Sequence, residues 1–168
     1  WDTINKALRF EDGAEHILHR RVDTTWQNKF TISFWVKRNN LGLYNYIITW
    51  RDKRGSGYPF GEVKFTNGDQ LEYFDYGTSI DTNYPIYAKT NRLFRDHSAW
   101  YHLVVAQDTE QSTAANRLKI YVNGALEDSF SAAAYTAEDT DTSWNSNTEL
   151  SIGRDVNGDD DPFDGYIS

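Results

Sequence analysis

The chain has 168 residues, and its 25 acidic against 17 basic side chains give a formal net charge of −8 at pH 7. Such an excess of carboxylates repels a phosphate backbone, so the composition argues against a nucleic-acid partner. Because there is no cysteine, disulfides, redox pairs, cysteine nucleophiles and cysteine zinc sites are excluded, and a single domain of this length buries a core without them.

The apolar segments and the chain ends give two further expectations. The longest apolar runs, such as Leu103–Ala106, fall far below the roughly 18 residues of a membrane span, and no signal-peptide pattern is present, so we predict no membrane insertion. The first residue is Trp1 rather than Met, and Phe163–Ser168 has the pattern of a strand that stops midway. We therefore expect residues 1–168 to be one domain excised from a longer chain.

Alternation of apolar and polar residues with a period of two recurs along the chain and predicts an all-β fold. In chain order the predicted strands are Ala7–Glu11, Ile17–Arg20, Phe30–Val36, Tyr44–Trp50, Glu62–Phe65, Gln70–Tyr76, Ile86–Leu93, Ala99–Gln107, Arg117–Val122, Ala125–Ser129, Glu149–Gly153 and Phe163–Ile167. About a dozen strands are too many for one flat sheet, which favours a two-sheet antiparallel sandwich.

Local patterns predict the faces and turns of this sandwich. The inward-facing residues of two strands are expected to be Phe30, Ile32, Phe34 and Val36, and Leu118, Ile120 and Val122. Asn123-Gly124 tolerates the positive φ angles of a two-residue hairpin turn. The stretch Ser131–Asn147 is rich first in Ala and then in Ser, Thr, Asp and Asn, which predicts a short helical turn followed by a long loop.

An acidic segment near the C-terminus has the ligand chemistry of a cation site. Oxygen-bearing side chains occupy alternate positions at Asp155, Asn157, Asp159 and Asp161, with Asp160 between them. Ca²⁺ prefers six to eight oxygen ligands from such a loop. An EF-hand is excluded, because the glycine is misplaced, the final Glu is missing and strands flank the loop. The segment is thus either a β-type calcium loop or a solvated acidic turn.

Aromatic residues in predicted loops are the second candidate site. Rings pack against the C–H face of a sugar, while Asp, Asn and Arg side chains bond its hydroxyls. The residues with this mixture are Trp144 with Asp141 and Asn145, Tyr58 with Arg54, and Tyr84. We predict glycan binding by these six residues. The alternative is that their rings cover the ends of the core or touch a neighbouring subunit.

The sequence gives little support for catalysis. The strand carboxylates Glu62, Glu72 and Asp75 are scattered, whereas a glycosidase needs a pair of carboxyl groups at a fixed separation. No nucleophile elbow, phosphate-binding loop or HExxH motif is present, and a structural role is expected for all four histidines. We predict a noncatalytic protein, with a glycan-degrading enzyme as the alternative.

Several blocks together resemble the laminin-G-like branch of the concanavalin A-like jelly rolls. They are Leu8–Phe10, Phe30–Arg38, Phe94–Val105, Arg117–Gly124, Ser151–Arg154 and Phe163–Ile167. The sequences of Trp100–His102 and Tyr121–Gly124 are most similar to those of domains found in tail, fibre or capsid-appendage proteins of tailed bacteriophages.

The resemblance implies a jelly-roll sandwich whose last strand pairs near the first. Members of the family mostly bind glycans or proteins, often with Ca²⁺ at one rim, and a minority are enzymes. We therefore expect a binding or structural module at a virion surface, outside the cell. Its expected partners are a host-surface glycan or neighbouring virion subunits, and homo-oligomerisation through the parent chain is a further expectation.

Overall fold

The computed structural model describes residues 4, 6–13, 16–22, 27–51, 60–76, 86–144, 148–155 and 161–168. Thirteen strands lie in these ranges: β1 (Leu8–Phe10), β2 (Leu18–Val22), β3 (Lys29–Arg38), β4 (Asn45–Arg51), β5 (Phe60–Phe65), β6 (Gln70–Asp75), β7 (Ile86–Leu93), β8 (Tyr101–Asp108), β9 (Leu118–Val122), β10 (Ala125–Glu127), β11 (Phe130–Ala134), β12 (Thr148–Ile152) and β13 (Gly165–Ile167). One 3₁₀ turn, Ala114–Asn116, precedes β9. No helix in the described part of the chain is long and apolar enough to cross a membrane.

The strands form two antiparallel sheets that pack face to face. The six-stranded sheet has the order β1-β13-β3-β8-β9-β10, and the seven-stranded sheet has the order β11-β7-β6-β5-β4-β12-β2. This confirms the predicted all-β, two-sheet jelly-roll sandwich. The last strand, β13, lies between β1 and β3, as the family resemblance implied.

Residues that alternate along the strands of both sheets form one hydrophobic core. From the six-stranded sheet come Ile32, Phe34, Val36, Leu103, Val105 and Ile120, and from the seven-stranded sheet come Ile48, Trp50, Val63, Phe65, Leu71 and Tyr73, all of them buried. The predicted inward faces of β3 and β9 are confirmed, since Leu118 and Val122 are buried as well and Phe30 packs against the core. Side chains at the intervening positions therefore form the outer faces of the sandwich.

The hairpin between β9 and β10 has the predicted turn. Asn123 and Gly124 have φ angles of 52° and 81°, and Val122 pairs directly with Ala125. The Asn123 side-chain carbonyl also accepts a 2.8 Å hydrogen bond from the backbone N–H of His102, and the backbone N–H of Asn123 donates to the His102 carbonyl at 2.8 Å. The two sequence blocks that carry the phage resemblance thus contact each other and hold β8 against the hairpin.

The prediction for the Ala-rich segment was wrong at its start. Residues 130–134 form the edge strand β11, which pairs with β7 and contains a register shift between Phe130 and Ala132. The backbone groups of β7 offer a row of hydrogen-bonding partners at this edge. That tertiary contact outweighs the modest helical preference of a few consecutive alanines.

Candidate functional site on the seven-stranded sheet

The outer face of the seven-stranded sheet carries a charged cluster centred on Lys64. The Nζ atom of Lys64 lies 2.5 Å from Oε1 of Glu62 on the same strand and 3.3 Å from Oε1 of Glu72 on β6. Lys64 and Glu72 are paired residues of the β5–β6 hairpin. Alternation along β5 and β6 places all three side chains on the face opposite the core. We call this set the Lys64 cluster.

Aromatic rings flank the Lys64 cluster along the same face. Lys64 Nζ lies 5.0 Å from the ring centroid of Tyr46 on β4, and the hydroxyl of Tyr87 on β7 donates a 2.9 Å hydrogen bond to Glu72. Towards one end of the sheet, the Phe60 ring packs near Phe74 and lies beneath the Arg51 guanidinium, 4.8 Å from ring centroid to carbon. Charged and aromatic side chains therefore alternate across this surface.

A polar recess of about 300 Å³ opens among these groups. Its lining includes Tyr46, Arg51, Phe60, Glu62, Lys64 and Asp155. Its volume is at the lower end of the range for small-ligand sites, which combine ring or aliphatic surface with a few fixed polar groups. The recess can therefore accept a group about the size of one sugar ring.

The Lys64 cluster is held in a shielded environment. The side chains of Lys64, Glu62 and Glu72 are only 11%, 13% and 12% exposed. Burial raises the pKa of Glu62 above its ordinary value, although Lys64 acts in the opposite direction. Burial alone would lower the pKa of Lys64, but the adjacent carboxylates, Glu62 foremost, outweigh it and raise that pKa. The ammonium of Lys64 thus stays charged under all ordinary conditions.

The side chains that line the recess supply hydrogen-bond acceptors, hydrogen-bond donors and apolar ring faces. The carboxylates of Glu62 and Asp155 accept hydrogen bonds, while Lys64 and Arg51 donate them. The Tyr46 and Phe60 rings offer apolar surface beside these polar groups. This combination suits a ligand that has several hydroxyl groups and a C–H face.

The predicted acidic loop begins and ends beside the recess. Asp155 lines it, and the backbone carbonyl of Asp161 accepts a 3.3 Å hydrogen bond from the Tyr46 N–H. Asn157, Asp159 and Asp160 lie outside the described residues. Within the described ranges no group of three or more His, Asp or Glu side chains is placed to hold a metal ion. The calcium loop therefore stays a prediction.

The predicted glycan-binding residues divide between described and undescribed parts of the chain. Tyr58, Arg54, Tyr84 and Asn145 lie outside the described residues. Asp141 is described and exposed. The strands that flank Tyr58 and Arg54 end at Arg51 and begin at Phe60, so that connection starts and finishes at the recess.

Trp144 packs inside the sandwich rather than on its outer face. Its ring stacks on Phe30 at 4.9 Å between centroids and meets Trp50 edge-on at 4.8 Å. It is partly buried against the core. The alternative given for the loop aromatics, that a ring covers one end of the core, describes the position of Trp144.

The Lys64 cluster is the feature that sequence reasoning missed. The sequence predicts that Glu62 and Glu72 are scattered, yet both contact the same ammonium, while Asp75 faces inward and accepts hydrogen bonds from Ser143. The turn between β5 and β6 is the sequence feature that could have predicted the contact between Lys64 and Glu72. Asp69 has a φ of 64° and its N–H bonds the Thr66 carbonyl, which sets the register that pairs Lys64 with Glu72.

Comparisons with known proteins agree with the architecture. Residues 11–168 match the laminin G type 3 family model, described as the concanavalin A-like lectin/glucanases superfamily. A comparison with curated protein sequences finds no match.

Solved structures with a similar fold come from several sources. The CBM40 module of the Ruminococcus gnavus IT-sialidase, bound to α2,3-sialyllactose, has a TM-score of 0.60 at 14% identity, covering 97% of this chain and 86% of that one. Domains LG4-5 of the mouse laminin α1 chain have a TM-score of 0.60 at 11% identity, with coverages of 100% and 43%. The heptameric SAP-like pentraxin of Limulus polyphemus has a TM-score of 0.56 at 14% identity, with coverages of 95% and 71%. At these identities the likeness concerns the fold.

Proposed function

We propose, from the premise that this chain belongs to the concanavalin A-like lectin/glucanases superfamily, that it is a noncatalytic module that binds a glycan. The observation that carries the proposal is the recess beside the Lys64 cluster, where ring faces, carboxylates and cationic groups lie within one small depression. A similarly folded module, that of the Ruminococcus gnavus sialidase, binds a sialylated sugar.

The binding mode follows from the chemistry of the recess. A sugar ring would lay its C–H face against Phe60 or Tyr46, while its hydroxyls donate to Glu62 and Asp155 and accept from Lys64. Because Lys64 is itself fixed by Glu62 and Glu72, the donor loses little rotamer freedom on binding. Such fixed groups favour recognition of one hydroxyl arrangement over its epimers.

A glycan array tests the proposal directly. We expect the unaltered protein to bind a defined set of glycans, and Phe60→Ala to weaken binding about tenfold, which corresponds to the loss of one ring contact. The matched control is Tyr121→Ala, because Tyr121 lies on the outer face of the six-stranded sheet. A folded protein that binds no glycan would contradict the proposal, and so would equal losses in both variants.

The noncatalytic part of the proposal rests on the ion pairs of the Lys64 cluster. A glycosidase needs one carboxyl group that keeps its proton and a second that is free to attack or to activate water. Lys64 contacts both Glu62 and Glu72, so both carboxylates are engaged in ion pairs and neither is free to attack or to activate water. Incubation with the bound glycans should release no shortened product, and product formation that Glu62→Gln abolishes would favour the enzyme alternative.

We further propose that the module is displayed on the surface of a bacteriophage virion. The support is the similarity of Trp100–His102 and Tyr121–Gly124 to virion domains. Since these blocks also hold β8 against the β9–β10 hairpin, they are explained by the fold as well. Binding of the purified protein to intact bacterial cells, competed by the array-selected glycan, would support this setting. A partner found only among virion subunits would favour an assembly role.

A further inference from the structure

Two Asn-Gly dipeptides lie in turns within the described part of the chain, and the fold holds them differently. Asn67-Gly68 lies in the turn between β5 and β6, and Asn123-Gly124 lies in the turn between β9 and β10. Each asparagine follows a β-branched residue, Thr66 in the first turn and Val122 in the second. Because the local sequences are alike, a difference in the reactivity of the two asparagines must come from the folded structure.

The Asn67 side chain is exposed and has no hydrogen-bond partner among the described residues. The backbone N–H of Gly68 donates to the Thr66 hydroxyl at 3.3 Å, which is longer than the usual N–H···O distance. The turn itself is closed by the backbone N–H of Asp69, which donates to the Thr66 carbonyl at 2.9 Å. The Asn67 amide can therefore rotate towards the Gly68 nitrogen without breaking the bond that closes the turn.

The Asn123 side chain is fixed by the neighbouring strand β8. Its carbonyl accepts the 2.8 Å hydrogen bond from the backbone N–H of His102, and the backbone N–H of Asn123 donates to the His102 carbonyl at 2.8 Å. Turning the side-chain carbon of Asn123 towards the Gly124 nitrogen would break the first of these bonds. A tenfold difference in rate corresponds to about 1.4 kcal/mol, which is the scale of one such hydrogen bond.

We propose that Asn67 is a site of spontaneous deamidation in the folded protein and that the fold protects Asn123 from the same reaction. The Gly68 backbone nitrogen gives its proton to hydroxide and forms a bond to Cγ of Asn67. The bond from Cγ to Nδ2 then breaks, and that nitrogen takes a proton from water and leaves as ammonia. Water opens the resulting cyclic imide at either carbonyl. The net reaction consumes water, releases ammonia and converts Asn67 to aspartate or isoaspartate.

The two products should affect the turn differently. Aspartate at this exposed position changes only a surface charge, which has little effect on stability. Isoaspartate inserts a methylene group into the backbone of the turn, so the N–H of Asp69 no longer lines up with the Thr66 carbonyl. Asp69 also forms an ion pair with Arg38 at 3.2 Å, and the turn sets the register of the β5–β6 hairpin. Isoaspartate formation should therefore lower stability, whether or not the protein binds a glycan.

Peptide mapping of the protein after incubation for weeks at neutral pH tests the reaction. Mass spectrometry follows the conversion of amide to acid at Asn67 and Asn123, which lie on different tryptic peptides, as does Asn157 in the Asn-Gly dipeptide outside the described residues. In the folded protein we expect Asn67 to convert at least about tenfold faster than Asn123. In urea the two asparagines should convert at similar rates, because the bonds to His102 are lost on unfolding.

The matched variants are Asn67→Gln, which forms the cyclic imide far more slowly, and freshly prepared Asn67→Asp, which changes the charge alone. The incubated unaltered protein should unfold at a lower urea concentration than fresh protein, whereas incubated Asn67→Gln and fresh Asn67→Asp should not. Equal conversion of the two asparagines in the folded protein would overturn the proposal. A difference that persists in urea would also overturn it, because the sequence alone would then explain it. An equal loss of stability in incubated Asn67→Gln would refute the effect on the turn.

Discussion

Among the described residues, two clusters that hold a buried cation beside a pair of carboxylates or a shared carboxylate differ in what surrounds them. In one, Arg38 lies fully buried, 3.2 Å from Asp69, which also bonds Arg95 at 2.9 Å. In the other, Lys64 contacts Glu62 and Glu72. We call the first the Arg38 cluster.

The Arg38 cluster is closed by the backbone. Arg38 donates to the Phe94 carbonyl at 2.9 Å, and Asp69 accepts a 2.8 Å hydrogen bond from the Gly42 N–H. The Arg38 guanidinium also lies over the Phe65 ring in the core. The Lys64 cluster has no such backbone contacts among the described residues and borders the recess. Buried charge by itself therefore does not identify a candidate binding site. The open recess beside the Lys64 cluster is what makes that cluster the candidate.

The largest effect that we expect is from Asp69→Asn, which removes the charge opposite buried Arg38. Leaving that guanidinium without a counterion should lower the free energy of unfolding by about 3 kcal/mol at pH 7. Urea unfolding measures this change. Glycan binding by the folded fraction should be unaffected, because Asp69 does not line the recess.

The control for this substitution is Glu138→Gln. Glu138 is half exposed and lies 3.6 Å from Arg117, which also bonds three backbone carbonyls. The unfolding midpoint should hardly change. A loss as large as that of Asp69→Asn would show that burial does not distinguish the two ion pairs.

A smaller loss of stability is expected from Lys64→Gln, combined with a loss of glycan binding. The substitution leaves Glu62 without its cation, while Glu72 keeps only Lys89 at 3.7 Å, and it should cost about 1–2 kcal/mol at pH 7. It also removes the proposed donor to a sugar hydroxyl. Titration with the array-selected glycan measures binding. If this variant kept the affinity of the unaltered protein, Lys64 would not be a donor to the bound glycan.

The losses of stability caused by Asp69→Asn and by Lys64→Gln should depend differently on pH. The N–H of Gly42 and the guanidinium groups of Arg95 and Arg38 outweigh burial and hold the pKa of Asp69 below its ordinary 3.8. Its contribution to stability is complete above 3.8 and is lost as the pH falls through the folded-state pKa. The deficit of Asp69→Asn should thus persist at pH 4.5 and shrink only in stronger acid.

Glu62 behaves in the opposite way, because burial raises its pKa above the ordinary 4.5. Its contribution is fully present below 4.5 and is lost as the pH rises through the folded-state pKa. The deficit of Lys64→Gln should therefore be largest near neutral pH and shrink as the pH falls towards 4.5. Urea unfolding of both variants across this range measures the difference, and identical profiles would contradict it.

The smallest expected effect is that of calcium on the acidic loop beside the recess. With the affinity typical of extracellular sites, about 10 mM CaCl₂ should raise the unfolding temperature by about 3 °C. Asp155→Asn should abolish the rise, whereas Asp141→Asn should preserve it. An equal response of both variants would indicate general ionic screening and a solvated turn at residues 155–161.

The predicted strands are close to those observed because most strands have an alternating apolar pattern or a flanking turn sequence of their own. Alternation in β3 and β9 and the Asn123-Gly124 turn depend on neighbouring residues alone. The alanines of β11 carry no such signal, and their strand exists because the edge of β7 is available. For the site, the composition of the acidic segment is enough to identify Asp155 as a candidate residue, but its position beside Tyr46 and Glu62 depends on which strands are neighbours.

Periodicity and composition are local properties, and they are enough to predict the all-β class, the inward faces of the strands and the net negative charge. Which charged side chains contact each other depends on the folded structure. Lys64 contacts Glu72 because the turn register aligns them, and Arg38 meets Asp69 across 31 residues of chain. Sheet order and register depend on the packing of the whole sandwich, so the recess beside the Lys64 cluster could not be derived from local patterns.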